Sequence, residues 1–155
     1  MTTIRPYTIS VPEQKLERLQ KKLALCDFPS EQSGLHYTSW DQGVPVSELE
    51  RLVGVWQTGY DWRKIERSLN QLPHFMTKID VQDMGQFDIH LIHKKSNAPG
   101  AIPLLFLHGW PGSFLEVTKI LDPLVHGETE DSITFDVVAP SLVDFGFSSA
   151  SKVCH

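Results

Sequence analysis

Phe106-Leu107-His108-Gly109-Trp110-Pro111-Gly112-Ser113 decides how this chain is read. Upstream lies an apolar run, Ile102 to Leu107, broken only by Pro103, which has the pattern of a strand buried on both faces. The run ends in a tight turn carrying two glycines and a proline. Directly after it, Ser113-Phe114-Leu115-Glu116 has the spacing of a capping box that opens a helix. A strand, a tight turn and a capped helix together present backbone N–H groups at the mouth of a sheet, where they can stabilise an oxyanion. Glycines on either side of Trp110 and Pro111 let the chain reverse over the sheet end, and a cis Trp110–Pro111 bond would turn the Trp110 N–H inward. A simple strand–helix turn is the competing explanation. A phosphate cradle is disfavoured, because the chain has neither a Gly-x-Gly-x-x-Gly run nor a P-loop lysine.

Downstream of this turn, a helix is expected over 113–125 with Val117, Ile120, Leu121 and Leu124 inward, followed by a strand over 133–139. Strand, helix and strand in that order form a βαβ unit and hence a parallel pair. Upstream, Phe75, Thr77, Ile79 and Val81 alternate with mainly polar positions, and Phe87, Ile89 and Leu91 alternate again after Asp83-Met84-Gly85. Two period-two runs around a glycine turn predict an antiparallel hairpin.

Ahead of Pro73 the period is helical. Leu16, Leu19 and Leu23 lie on one face behind Ser10 as N-cap, with Pro12 in the first turn and the helix ending before Pro29. Residues 30–43 read as a loop. Leu49, Leu52, Val53 and Trp56 recur at helical spacing after Pro45. Asp61 caps a short helix with Trp62, Ile65 and Leu69 on one face. The chain thus looks α+β, with helices first, then a hairpin, then the start of a parallel sheet.

Composition sets outer limits. The 155 residues are 41% hydrophobic and 21% charged, which is ordinary for a globular chain. The net charge of -5 and the lack of any basic cluster beyond Lys21-Lys22 or Lys94-Lys95 argue against nucleic acid as a partner. Cys26 and Cys154 have no framework spacing and read as free thiols. No apolar run reaches the ~20 residues of a membrane span, and Met1–Ser10 lacks an apolar core of signal-peptide length, so a cytoplasmic location is expected.

His90 and His93 have a metal-like spacing, but an odd separation in a strand puts them on opposite faces, so no metal site is expected. His36, His74, His126 and His155 stand in loop or terminal contexts and are given no chemistry. Asp80 and Asp83 flank a turn. Trp56, Tyr60 and Trp62 are expected to pack in the core.

The turn resembles the oxyanion-hole turn of α/β-hydrolases in their epoxide hydrolase and haloalkane dehalogenase branch. Trp40-Asp41-Gln42-Gly43-Val44-Pro45, Tyr60-Asp61-Trp62-Arg63-Lys64-Ile65-Glu66, Leu69-Asn70-Gln71-Leu72-Pro73-His74-Phe75 and Asp88-Ile89-His90-Leu91-Ile92-His93 sharpen the match to the N-terminal part of microsomal-type epoxide hydrolases. Dehalogenases lack that helical extension. The resemblance runs from about Ile4 to Ser149. It implies an α/β fold, with a helical N-terminal arm and the first strands of a truncated α/β-hydrolase sheet. It also implies residues 1–100 as the N-terminal domain, arm and hairpin together, and 101–155 as the incomplete start of the core.

By that resemblance, an aspartate opens an epoxide to an alkyl-enzyme ester, two cap tyrosines protonate the leaving oxygen, and a histidine held by an acid activates the hydrolysing water. The product is a vicinal diol, no cofactor is needed, and a detoxification role is the corresponding expectation. His108, Gly109, Trp110 and Pro111 are the implied oxyanion-hole turn, with the Trp110 N–H as donor. No nucleophile elbow of either the Gly-Gly-Asp-Trp-Gly or the Gly-x-Ser-x-Gly kind occurs, and the nucleophile, tyrosines and histidine are expected beyond His155. The family's Pro-Gly-Tyr-Gly-Phe-Ser is replaced by Val143-Asp144-Phe145-Gly146-Phe147-Ser148, where Asp144 can still adopt a left-handed turn at some cost relative to glycine. The tail from Ser151 to His155 matches nothing in the family. The expected substrate of the complete enzyme is a small epoxide, and the chain alone is expected to be inactive and to self-associate. Half of a split enzyme, completed by a second chain, and a non-catalytic binding or regulatory module are the alternatives.

Overall fold

The computed structural model describes residues 3–29, 40, 43–127, 129 and 132–151. Two compact units are present: residues 10–67, and residues 1–9 joined with 68–155.

The first unit is helical: α1 (Glu13–Ala24), α2 (Val46–Thr58) and most of α3 (Trp62–Leu69). Ser10 does not cap α1. That position falls to Pro12, whose extended backbone leads into Glu13 and whose carbonyl accepts from the Lys15 N–H. Asp61 does cap α3, accepting from the Lys64 N–H at 3.0 Å. Glu66 is buried and binds the Val11 N–H at 2.6 Å, the Trp62 indole N–H at 3.1 Å and Arg63 at 2.7 Å. These bonds, the Val11 N–H first, hold its carboxyl below the usual carboxylate range. Helix α2 has no buried residue, and Trp56 and Tyr60 stay about half exposed. The expected aromatic core is instead the wall of an open apolar groove of about 540 Å³ with Val11, Leu16 and Leu19. The loop expected over 30–43 lies outside the described residues except at Trp40 and Gly43.

The second unit is a five-stranded mixed sheet, ordered β1-β2-β3-β5-β4. Its strands are β1 (Arg5–Pro6), β2 (His74–Val81), β3 (Gly85–Lys94), β4 (Ile102–Leu105) and β5 (Phe135–Pro140). The expected hairpin is β2–β3, closing at Val81↔Gly85 with Asp83 at φ 64° and Gly85 at φ 87°. The expected parallel pair is β4–β5, with Ile102 opposite Phe135 and Leu105 opposite Val138. Two features go beyond the sequence reading. Strand β1 adds to β2, and β3 pairs antiparallel with β5, so that hairpin and parallel pair form one sheet. The hairpin, assigned by sequence to the 1–100 portion, therefore shares its sheet with strands of the 101–155 portion.

Residues opposite each other in register share a face. His74, Met76, His90, Ile92, Val137 and Ala139 thus line one face, and all are buried. Phe114, Val117, Leu121 and Val125 are buried with them. They do not come from one continuous helix. Phe114–Lys119 is a 3-10 turn and α4 is only Leu121–His126. Pro123 has no N–H for the Lys119 carbonyl, so an α-helix cannot run through it. The change of pitch leaves Ile120 exposed, against expectation.

No helix of the described residues is long and apolar enough to cross a membrane. Cys26 is an exposed free thiol, and Cys154, His36 and His155 lie outside the described residues. His126 is the exposed last residue of α4.

Candidate functional site

The turn after β4 keeps His108 and exposes Trp110. His108 is buried at 4% exposure, whereas the Trp110 side chain stands 87% exposed. The Trp110–Pro111 bond is cis. The Gly112 N–H closes on the Gly109 carbonyl at 2.7 Å. Ser113 then caps the 3-10 turn, accepting from the Leu115 N–H at 3.3 Å. No hydrogen bond of the Trp110 N–H falls among those of the described residues.

The two glycines act differently from the simple reversal expected. Neither has a positive φ. A Cβ on Gly112 would displace the carboxylate end of the exposed Glu116 side chain and lie 3.1 Å from the Gly109 carbonyl, whereas a Cβ on Gly109 would meet nothing within 4 Å. His108 is held by a partner remote in sequence: its Nε2 accepts from the Leu142 N–H at 3.1 Å, and Phe145 packs edge-on at 5.1 Å.

Leu142 belongs to the loop after β5, which folds back on β3. Ser149 donates through its N–H to the Asp88 carbonyl at 2.8 Å, and Ser148 donates to the Ser141 carbonyl at 2.7 Å. Asp144 takes the expected left-handed conformation at φ 69°, and its carboxylate accepts from the Ser151 N–H at 2.9 Å. That is a turn-stabilising contact, not the setting of a nucleophile. Gly146, at φ 55°, packs so closely that a Cβ would lie 2.5 Å from the Ser141 hydroxyl. Gly146→Ala is therefore expected to cost about 1–3 kcal/mol. Gly109→Ala, which has room and an ordinary φ, should change stability by less than about 0.5 kcal/mol. Urea midpoints of the two variants check this.

The cluster that sequence reading missed lies under this loop. His74, expected in a loop, is the first residue of β2 and is buried at 4% exposure. Its Nδ1 lies 2.9 Å from His90 Nε2, and its Nε2 lies 2.8 Å from the Leu69 carbonyl. His90 Nδ1 in turn lies 2.9 Å from the Ser141 hydroxyl. A carbonyl only accepts, so His74 carries its proton on Nε2 and accepts at Nδ1. His90 then carries its proton on Nε2 and accepts from Ser141. The bonds all run one way, from Ser141 through His90 and His74 to Leu69.

Burial, with His74 alongside, pushes the His90 imidazole down to about 4, and burial lowers His74 as well. Serine, histidine and a third orienting group imitate a nucleophilic triad. Ser141 is 1% exposed and His90 fully buried, so no substrate reaches them, and an imidazole that resists protonation is a poor base at neutral pH. The cluster is structural polar chemistry in an aromatic cage of Tyr7, Phe114 and Phe147. Its only local signal was parity: with the hairpin turn at Asp83, His74 and His90 fall diagonally on one face. His93 does lie on the other face, against Phe75. Among the described residues no group of His, Cys, Asp or Glu side chains could hold a metal.

Comparison with known proteins gives the family and the fold. The family profile described as "Epoxide hydrolase N terminus" matches residues 4–117. A Stigmatella aurantiaca protein named as an epoxide hydrolase is 40% identical over 150 residues, covering 94% of this chain and 32% of that protein. Epoxide hydrolase 1 of Sus scrofa is 35% identical over 160 residues, covering 97% and 33%. The solved structure of Aspergillus niger epoxide hydrolase superposes with a TM-score of 0.79 at 28% identity, over 99% of this chain and 38% of that one. Juvenile hormone epoxide hydrolase from Bombyx mori gives 0.80 at 26% identity, over 99% and 39%. The chain spans about a third of the length of the curated relatives it matches.

Proposed function

The chain belongs to the epoxide hydrolase family, through its N-terminal domain, and on that premise we propose that it forms the N-terminal portion of an enzyme that converts a small epoxide to a vicinal diol through a covalent alkyl-enzyme ester. Its fold is the helical arm and first strands of an α/β-hydrolase sheet. We assign His108, Gly109, Trp110 and Pro111 to the oxyanion-hole turn. The observation that carries this reading is the Trp110 N–H, unengaged beside a His108 ring that is itself fixed by Leu142. Such a donor stabilises negative charge on the ester carbonyl oxygen when water attacks. The nucleophile, tyrosine acids and histidine base are supplied by sequence outside this chain, and location in the cytoplasm and a part in detoxification belong to the same proposal.

The test has two arms. Alone, the chain is expected to form no diol from a reactive aryl epoxide and no ester adduct by intact mass. Mixed or fused with the remaining two thirds of a relative, it is expected to form diol. Diol formation by the chain alone, abolished by Asp144→Asn, would overturn the proposal.

The split-enzyme alternative draws on the apolar surface left open. Strand β4 is at the sheet edge, and Ile102, Leu105 and Leu107 are about half exposed or more. Unpaired edges and exposed apolar side chains favour association. The isolated chain is therefore expected to elute as oligomer or aggregate in sizing. A sharp monomer peak with reversible melting would count against this.

A further inference from the structure

The buried histidines and the oxyanion turn are joined by a single loop. Ser141 gives its hydroxyl proton to His90, and the next residue, Leu142, gives its N–H to His108. The rest of the loop is tied to β3 as well: the His90 N–H donates to the Ser148 hydroxyl at 3.0 Å and the Asp88 N–H to the Ser149 hydroxyl at 3.1 Å. Strand β3 thereby sets where Leu142 stands, and Leu142 sets the ring plane of His108, two residues before Trp110.

We propose that His90 is a positioning residue for the oxyanion turn, acting through Ser141 and the 141–149 loop on His108. This rests on the reading of the turn as an oxyanion site. The hydrogen bonds dictate opposite tautomers. His74 and His90 are Nε2–H, because their chain ends on the Leu69 carbonyl. His108 accepts at Nε2 and so is Nδ1–H, with that proton toward the Gly109 carbonyl 3.5 Å away. The Ser141 N–H also bonds the His90 carbonyl at 2.8 Å, so substitutions at the Ser141 hydroxyl read what the imidazole adds to that backbone tie.

Long-range proton–nitrogen NMR of the histidine rings at pH 8 reads this directly. In the wild-type chain His74 and His90 should be Nε2–H and His108 Nδ1–H. Ser141→Ala should move His108 toward a mixture of tautomers and shift the Leu142 amide upfield as its bond lengthens. Ser141→Cys fills the site with a slightly larger thiol that is a weaker donor, so it should give an intermediate shift. Val137→Ala, a core truncation in β5 outside the hydrogen-bonded chain, should lower the melting temperature and leave the His108 tautomer unchanged. A wild-type His108 in the Nε2–H form would overturn the proposal, as would Ser141 variants with an unchanged His108 tautomer and Leu142 amide. The readout requires no epoxide chemistry. A complemented protein that forms no diol but keeps the coupling faults the proposed reaction alone, and one that forms diol without the coupling faults the positioning role alone.

Discussion

His90→Ala is expected to lower the stability of the sheet unit by about 3–5 kcal/mol, a large part of the 5–15 kcal/mol that holds a typical domain together. Two losses add up. Removing the imidazole leaves a cavity among Tyr7, Phe114 and Phe147, whose ring centroids lie 4.9–5.5 Å from it. It also orphans two buried polar groups, the Ser141 hydroxyl and His74 Nδ1, each at about 1–3 kcal/mol. His90→Gln can place an amide N–H near the former Nε2 and should recover about 1 kcal/mol through His74. Urea melts followed by tryptophan and far-ultraviolet signals check both variants. A midpoint for His90→Ala close to wild type would show that the imidazole chain contributes little.

Acidification is expected to act on the same cluster. The unfolded-state imidazole titrates near 6.5, whereas burial and the neighbouring His74 bring folded His90 down to about 4. Between those values the unfolded chain binds more protons than the folded one. The contribution of neutral His90 is thus complete above about pH 7 and is lost as pH falls from 6.5 towards 4, with a total of about 2–3 kcal/mol. The lowered His74 acts in the same direction. The groups that face His90 are His74 from β2, Tyr7 after β1, Phe114 and Phe147, and Ser141 and Ser148 from the loop. Asp88, two residues earlier on the same face of β3, is bridged to Lys78 at 3.7 Å. Urea midpoints at pH 7.5, 5.5 and 4.5 should fall steadily, and His90→Gln should flatten the slope. An equally steep slope in that variant would assign the acid sensitivity to other groups.

Local patterns determined much of this protein from sequence alone. Asp61 caps α3, because a carboxylate three residues before Lys64 is within reach of its N–H whatever else the chain does. The hairpin closes at Asp83 and Gly85, because the alternating runs and a left-handed turn fix register within one segment. The apolar runs at 102 and 133 form the parallel pair, although the run at 102, read as buried on both faces, is an edge strand with Ile102 and Leu105 exposed, and the His108–Ser113 turn that carries the family resemblance follows directly. Tertiary structure alone decided the rest. The pairing of β3 with β5 has no local signature, since alternation says which face a residue takes but not which strand lies beside it. That pairing carries Ser141 to His90 and Leu142 to His108, residues 51 and 34 positions apart. His74 read as a loop residue, and nothing in the sequence marked Glu66 as buried, because a polar side chain shows its burial only through its partners in the folded chain. The period of the sequence specifies elements and faces, whereas hydrogen bonds among buried polar groups depend on the register between distant segments, which only the assembled sheet fixes.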